Sequence, residues 1–150
     1  MVLDGLRDPG NVGTILRTAQ AAGVLVVMLT EDCVDPYNPK VLRGAMGAHF
    51  RLHVLEDQPW DQIEKALRSR NIWIACSGRG TPYFEVEWTR PSALVVGNEA
   101  FGVGPEARRV ATGEVTIPMV GEAESLNVAV ATGVILFEAL RQRKAESFGV

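Results

Sequence analysis

Short apolar runs alternate with longer stretches of mixed polarity along the whole chain. The short runs predict strands, which fall at residues 1–4, 24–29, 50–55, 71–76, 93–97 and 115–119. The stretches between them carry helical spacing or helix-start signals, and they predict helices at 14–23, 38–43, 58–67, 105–110 and 126–141. Strands that are apolar throughout and alternate with helices are typical of a parallel sheet covered on both faces. The pattern therefore predicts an α/β fold, with a mostly parallel sheet of about six strands flanked by helices.

The longest predicted helix follows the last predicted strand across a short loop. Leu126, Val130 and Phe137 belong to a series of apolar residues at three- and four-residue steps, and Ser125 stands at the N-cap position before them. Two interpretations of this helix start stay open. It is an ordinary capped helix, or it is a binding site, because amides at a helix start attract anionic groups and Ser125 and Asn127 add polar side chains.

Four loops leave the carboxyl ends of predicted strands, and they cover residues 5–13, 77–81, 97–104 and 120–125. In an open α/β sheet the ligand crevice lies at this edge. Three of the four loops are rich in glycine, which lets the backbone itself approach a ligand. The sequence therefore predicts a binding site where these loops meet.

The loop that begins at Gly97 superficially resembles a phosphate-binding loop. It lacks both Gly-x-Gly-x-x-Gly and Gly-Lys-Ser/Thr, and the next helix begins only after Gly104-Pro105. A glycine-rich turn without a function is the simpler alternative. Glu99 argues against that alternative, because a carboxylate between glycines at a strand end is costly unless it caps backbone amides or pairs with a basic group.

Arg17 lies on the first predicted helix, and Asn11 and Gly13 lie at the entry of that helix. An arginine on an otherwise apolar, alanine-rich helix is most often a surface charge. Together with the neighbouring loops it becomes a candidate for holding a phosphate or a developing oxyanion.

Composition places the chain among globular proteins of one domain, since its 150 residues are 47% hydrophobic and 22% charged. The apolar runs are too short for a membrane span, and the N-terminus does not have the layout of a signal peptide, so the predicted location is the cytoplasm. The net charge of −3 provides no overall attraction to nucleic acid. An RNA partner would therefore need a local basic surface.

Metal and thiol chemistry have little support in the sequence. Cys33 and Cys76 are far apart and fit no metal spacing, and Cys76 lies in an apolar run that predicts a buried free thiol. His49 and His53 would share one face of a strand without a third ligand nearby. No metal site is predicted, and the absence of Gly-x-Ser-x-Gly argues against a serine hydrolase.

Three segments taken together resemble the signature motifs of the SpoU/TrmH RNA 2′-O-ribose methyltransferases of the SPOUT superfamily. They are Asn-Val-Gly-Thr-Ile-Leu-Arg at 11–17, Val-Gly-Asn-Glu-Ala-Phe-Gly at 96–102, and Ile-Pro-Met at 117–119 with Ser-Leu-Asn-Val-Ala at 125–129. The resemblance covers nearly the whole chain and includes residues 39–54. One departure lies there, since many relatives carry serine where this chain has Ala45.

The resemblance implies a fold whose C-terminal part forms a deep trefoil knot, which is rare among proteins. It implies a single methyltransferase domain over residues 1–150, without the N-terminal RNA-binding domain that longer relatives carry. S-adenosylmethionine would bind in the knot, and a homodimer would form through the C-terminal helix. By matching motif, the expected cofactor-binding residues are Gly97, Gly102, Ile117, Met119 and Leu126.

The resemblance also implies a set of catalytic residues, which are Asn11, Arg17, Glu99, Ser125 and Asn127. A ribose hydroxyl is a very poor acid, so methyl transfer requires its deprotonation or stabilisation of the developing charge. The family's arginine has been proposed to activate that hydroxyl. Because the pKa of a guanidinium lies above about 12, we expect Arg17 instead to grip a neighbouring phosphate and stabilise the alkoxide.

The preferred hypothesis is an enzyme that methylates a ribose 2′-hydroxyl in structured RNA. Ribosomal RNA of the 23S type is favoured over transfer RNA, because the second and third motifs look closer to the ribosomal branch. The alternative class is a module that binds RNA or a nucleotide without turnover. The presence of all four of Arg17, Glu99, Ser125 and Asn127 weakens that alternative.

Overall fold

A parallel sheet of seven strands forms the centre of the computed structural model, which describes residues 1–148. The strand order is β3-β2-β1-β6-β4-β7-β5, and every neighbouring pair is parallel. The strands are β1 Val2–Asp4, β2 Val26–Leu29, β3 His53–Leu55, β4 Asn71–Ala75, β5 Thr81–Pro82, β6 Ser92–Gly97 and β7 Gly113–Thr116. The predicted α/β class with a parallel sheet is confirmed. Residues 149–150 of the predicted domain lie outside the described residues.

Five α-helices of the described chain cover the two faces of this sheet. They are α1 Pro9–Ala21, α2 Pro39–Ala45, α3 Trp60–Leu67, α4 Pro105–Val110 and α5 Val128–Phe148. On one face α1 packs against both α2 and α5, and Ile15, Leu16 and Ile135 belong to its apolar core. On the other face Ile63 of α3 and Ala107 of α4 pack with residues of β1, β4 and β6. No helix within residues 1–148 combines the length and apolar character that crossing a bilayer requires.

The order of the strands reverses between β1 and β6, because the chain leaves β1 towards β2 on one side and leaves β6 towards β7 on the other. Such a switch point opens a crevice at the carboxyl ends of the two strands. Here the loops after the two strands meet, and the Asn98 side chain donates from Nδ2 to the Gly5 carbonyl at 2.8 Å. The fold thus brings two of the predicted loops into contact.

One strand was missed and two predicted strands were wrong in extent. β5 begins at the last residue of the loop predicted at 77–81 and was missed, since a strand of two residues, one of them Pro82, gives no alternating pattern. β7 ends at Thr116, so Ile117 and Met119 lie in the following loop. The predicted strand at 50–55 is a 3-10 turn over Ala48–Phe50 followed by the short β3.

Two predicted helix starts were also wrong. The glycine-rich stretch before Thr14 forms the first turn of α1, because Pro9 stands in that turn and the Asp8 side chain accepts from the Asn11 amide at 2.8 Å. α5 begins at Val128 rather than beside Ser125, and it continues beyond residue 141. The Asn38 cap of α2 and the start of α4 at Pro105 are confirmed.

Candidate active site

A cavity of about 710 Å³ opens at the carboxyl ends of β4, β6 and β7 and is bounded by the start of α5. Its lining is mixed, with apolar residues such as Val115 and Ile135 next to polar ones. The size and the mixed lining are typical of a site for a small organic ligand. The structure brings nine predicted site residues to this cavity, namely Asn11, Gly97, Glu99, Gly102, Ile117, Met119, Ser125, Leu126 and Asn127.

Side chains from three separate segments form a chain of hydrogen bonds in this cavity. Asn127 donates from Nδ2 to Asn11 Oδ1 at 3.0 Å, and Asn11 donates from Nδ2 to Glu99 Oε1 at 3.3 Å. Asn127 Oδ1 accepts from the amides of Ala129 and Val130 at 2.9 and 3.2 Å. These backbone donors determine which way the Asn127 amide faces, and that orientation in turn determines the orientation of Asn11. The hydrogen bonds therefore run in one direction, from the Asn127 amide through Asn11 to the carboxylate of Glu99, which accepts the last of them.

The N-cap of α5 is Asn127, because its side-chain oxygen accepts the amides of the first turn. Ser125 was predicted as this cap, and that prediction was wrong. Ser125 is exposed in the loop before the helix and lines the cavity. Asparagine and serine cap helices about equally well, so the spacing alone could not separate two candidates two residues apart.

Glu99 is exposed and is held by an amide group rather than by a charge. The sequence led us to expect that it caps backbone amides or pairs with a basic group. Neither occurs among the described residues, where Asn11 is its hydrogen-bond partner. Exposure to water removes the cost on which that expectation rested.

The loop from β6 to α4 has its own internal support. Asn98 Oδ1 accepts from the amides of Ala100 and Phe101 at 2.8 and 3.2 Å, and Asn98 and Gly102 exchange two backbone hydrogen bonds. A side chain at Gly97 would collide with the backbone of Gly102 and its successor. Sequence reasoning missed Asn98 as a site residue, although its place between Gly97 and Glu99 was a usable signal.

Asp4 ties the same loop to the sheet and was also missed. Its Oδ2 accepts from the Gly104 amide at 2.6 Å, and its Oδ1 accepts from Trp60 Nε1 at 3.2 Å. Burial raises the pKa of Asp4, whereas the hydrogen bonds from Gly104 and Trp60 act in the opposite direction. Its two partners are 100 and 56 residues away in the chain, so no local pattern could have identified them.

Arg17 is the predicted site residue that the structure does not bring into the cavity lining. It is exposed on α1, six residues after Asn11, which corresponds to about 9 Å along a helix axis. Within residues 1–148 its guanidinium has neither a hydrogen bond nor an ion pair. Its role in catalysis stays a prediction.

The opposite wall of the cavity carries a cluster of opposite charges. Arg79 and Arg108 both line the cavity, and both bind Glu114, with nitrogen to oxygen distances of 3.1 Å. Cys76 lies beside them; its thiol is free, as predicted, but it is only partly buried. Burial and, next, the charge of Glu114 raise the pKa of the Cys76 thiol. Arg79 lies in the loop predicted at residues 77–81, whereas no signal marked Arg108 in the sequence.

The histidines lie apart from this cavity. His49 lies in the 3-10 turn, where its Nε2 is 2.7 Å from the Pro36 carbonyl oxygen, and His53 lies on β3. The expectation that they share one strand face was therefore wrong. Among residues 1–148, no group of three or more His, Cys, Asp or Glu side chains is placed to hold a metal ion.

The family model described as the SpoU rRNA Methylase family matches residues 1–137. The chain belongs to the SpoU rRNA methylase family. Membership confirms the resemblance carried by the three motifs. Each motif supplies one residue of the hydrogen-bonded network of Asn11, Glu99 and Asn127.

Curated relatives are similar over nearly all of this chain. An uncharacterized tRNA/rRNA methyltransferase of Synechocystis is 41% identical over 98% of this chain and 54% of its own length. A 23S rRNA (guanosine-2′-O-)-methyltransferase of Xanthomonas axonopodis is 39% identical over 95% of this chain and 58% of its own length. The chain thus spans about half the length of the curated relatives it matches.

Solved structures of similar proteins share the fold. The methyltransferase AviRb from Streptomyces viridochromogenes, in complex with the cofactor AdoMet, matches with a TM-score of 0.84 and 32% identity, over 96% of this chain and 60% of that one. A solved structure whose description concerns the 2-OH methylation of C/U34 on tRNA matches this chain with a TM-score of 0.85 and 27% identity. That match covers 96% of this chain and 95% of the other.

Proposed function

We propose that this SpoU-family chain transfers a methyl group from S-adenosylmethionine to a ribose 2′-hydroxyl of structured RNA. The observation that carries the proposal is the hydrogen-bonded chain of Asn127, Asn11 and Glu99 in the lining of the 710 Å³ cavity. The names of similar proteins support the reaction class, since one acts on a guanosine 2′-oxygen of 23S rRNA and another binds AdoMet.

The cofactor would lie against the glycines and apolar side chains of the cavity. Gly97 and Gly102 lack side chains at the end of β6, and Ile117, Met119 and Leu126 present apolar groups from the loops around them. Such a lining suits a ligand that combines an adenine ring with an amino-acid tail. When bound, S-adenosylmethionine supplies the electrophilic methyl group.

The polar side chains of the chain would act on the ribose. Glu99, oriented by Asn11, would accept a hydrogen bond from the 2′-hydroxyl and so direct its oxygen towards the cofactor. Asn127 would keep Asn11 in place, and Ser125 would add a hydroxyl at the same wall. Arg17 would grip a phosphate next to the target ribose and stabilise the emerging alkoxide, which requires the RNA to extend from the cavity along α1.

Substitution of Arg17 tests this division of roles. We expect Arg17→Ala to lose most of its turnover with unmethylated 23S rRNA, on the order of 10²-fold, because stabilisation of the transition-state charge is lost. Its affinity for S-adenosylmethionine, measured by calorimetry, should stay near the wild-type value, because Arg17 does not line the cavity. Loss of both properties together would show that Arg17 has a structural role instead.

Two classes of RNA are candidate substrates under this proposal. Ribosomal RNA is the first choice, because a relative 39% identical to the chain is named a 23S rRNA methyltransferase. Transfer RNA is the second candidate, and the tRNA-related structure favours it because the match covers 95% of that chain. Transfer of a labelled methyl group to separated 23S rRNA and tRNA transcripts distinguishes the two. Transfer to neither would favour the non-catalytic binding module.

Several expectations from the family resemblance belong to the same proposal. Val130 and Phe137 of α5 are seven residues apart and about half exposed, which supports a homodimer through that helix. The trefoil knot, the assignment of residues 1–150 to one methyltransferase domain, and the cytoplasmic location remain predictions. Sedimentation of Phe137→Glu tests the dimer, since a charge in a shared apolar face should favour the monomer.

A further inference from the structure

A second cavity, of about 450 Å³, lies beside the first, and the loop from β6 to α4 separates the two. Asn98, Gly102 and Val103 of this loop line both cavities. Phe101 lies on the same loop, lines the second cavity and is 87% exposed. An aromatic ring therefore stands in water at the ridge between the candidate active site and a neighbouring pocket.

The loop holds the backbone of Phe101 in a defined conformation. Asn98 Oδ1 accepts from the Phe101 amide at 3.2 Å, and the exchanged backbone bonds of Asn98 and Gly102, at 2.9 and 2.8 Å, close the turn on both sides. A ring presented on a pre-organised backbone loses little conformational entropy on binding. At 87% exposure the ring also keeps most of its apolar surface available for burial against another molecule.

The charges around the second cavity indicate what that molecule presents. The carboxylates in its lining are Asp4, Glu31, Asp32 and Glu106, whereas Arg7 is the basic side chain found there among the described residues. Such a lining repels phosphate. Carboxylates accept hydrogen bonds from the amino groups of nucleobases, and aromatic rings stack on base faces. A flat, neutral base with a donor edge fits both features.

We propose that Phe101 is a stacking platform for an unpaired base of the RNA substrate, next to the nucleotide whose ribose enters the larger cavity. The base lies on the Phe101 ring, and its donor edge turns towards the acidic lining of the second cavity. This inference rests on the proposed RNA methyltransferase function and adds a residue that selects the substrate. Phe101 would recognise single-stranded rather than paired nucleotides, because a paired base has both faces covered in the helix.

Binding to single-stranded oligoadenylate, measured by fluorescence anisotropy, tests the contact directly. Phe101→Ala should weaken binding about tenfold, the effect of losing one base stack, while Phe101→Trp should keep or strengthen it. Phe84→Ala is the control, because Phe84 is also exposed, at 52%, but follows the edge strand β5 rather than the central β6. Wild-type affinity of Phe101→Ala, or full binding by Phe101→Leu, would overturn the proposal.

The salt dependence separates stacking from phosphate contact. The slope of log Kd against log salt should be the same for wild type and Phe101→Ala, because no phosphate contact is removed. A shallower slope for Phe101→Ala would contradict stacking. A change in sedimentation of Phe101→Ala would also contradict it, since that result assigns the ring to a contact between two copies of the chain.

Methyl transfer to unmethylated 23S rRNA distinguishes failure of this inference from failure of the proposed function. We expect Phe101→Ala to raise the KM for RNA about tenfold with little change in the affinity for S-adenosylmethionine. Transfer by the wild type together with an unchanged KM in Phe101→Ala overturns the stacking role alone. Absence of transfer by the wild type overturns the proposed function, and the oligoadenylate measurement then still decides on stacking.

Discussion

The two walls of the large cavity are held by different kinds of interaction. On the wall of α1, β6 and α5, hydrogen bonds with side-chain amides and backbone groups hold Asn11, Asn98 and Asn127, and each bond has a defined donor and acceptor. On the wall of β4, β7 and α4, Arg79 and Arg108 share the Glu114 carboxylate, with 68% and 42% of their side chains exposed.

The difference shows where the site requires exact geometry. A hydrogen-bonded amide chain specifies orientation, whereas exposed ion pairs contribute little energy and are screened by salt. The wall that carries the motif residues is the directional one. Arg79, Arg108 and Glu114 belong to none of the three motifs, which agrees with a looser role of the charged wall, such as attracting a charged ligand.

Gly97→Ala should have the largest effect, because the added carbon would overlap the backbone of Gly102 and Val103. We expect the free energy of unfolding to fall by about 3 kcal/mol or more, and binding of S-adenosylmethionine to be lost. Gly121→Ala is the matched control, because an added carbon there meets nothing within 4 Å. Urea denaturation of both variants checks the comparison, and equal stabilities would show that the loop yields easily.

Substitution of Asn127 tests whether the orientation of the hydrogen-bonded amides matters on the wall that carries Asn11, Asn98 and Asn127. Asn127→Ala removes both the cap and the donor to Asn11, so it should lose about 1 kcal/mol of stability and on the order of 10²-fold in turnover. Asn127→Ser keeps a capping oxygen but lacks the amide donor. It should regain most of the stability and little of the turnover. Recovery of both would show that Asn127 acts only as a helix cap.

The pH dependence of stability tests the role of Asp4, which holds the loop between β6 and α4 through Gly104. Because burial raises its pKa, the folded protein binds more protons than the unfolded chain between the ordinary aspartate value of about 3.9 and the raised value. Across that window this group makes stability fall as pH rises. The difference in unfolding free energy between wild type and Asp4→Asn should therefore change with pH in that direction, as urea titrations at several pH values can measure. A constant difference would contradict the shift.

Glu114→Gln should have the smallest effect, because the ion pairs it removes are exposed. We expect a loss below about 1 kcal/mol, which should shrink further in high salt. Arg109→Ala, which breaks the exposed pair with Glu64 elsewhere on α4, should behave alike. A loss well above that of Arg109→Ala would show that the second wall also depends on precise geometry.

Much of the site was predictable because parallel strands end at one edge of a sheet. The motifs at 11–17, at 96–102, and at 117–119 with 125–129 lie at or after the carboxyl ends of predicted strands, so their convergence required only the α/β pattern. The start of α1 carried a usable signal in Asp8 and Pro9, which the glycines nearby obscured. β5 carried none, because a two-residue strand is formed by its pairing with β7 rather than by its own residues.

The sequence by itself determined the fold class, the family and the set of polar residues that meet at the sheet edge, because these depend on periodicity and on short local motifs. Only the tertiary structure decided that Asn127 rather than Ser125 caps α5, that Asp4 holds Gly104, and that Arg17 lies outside the cavity. It also decided that Phe101 remains exposed. The bond of Asp4 to Gly104, the bond of Asn127 to Asn11, and the positions of Arg17 and Phe101 depend on residues far apart in the chain, which no local pattern encodes.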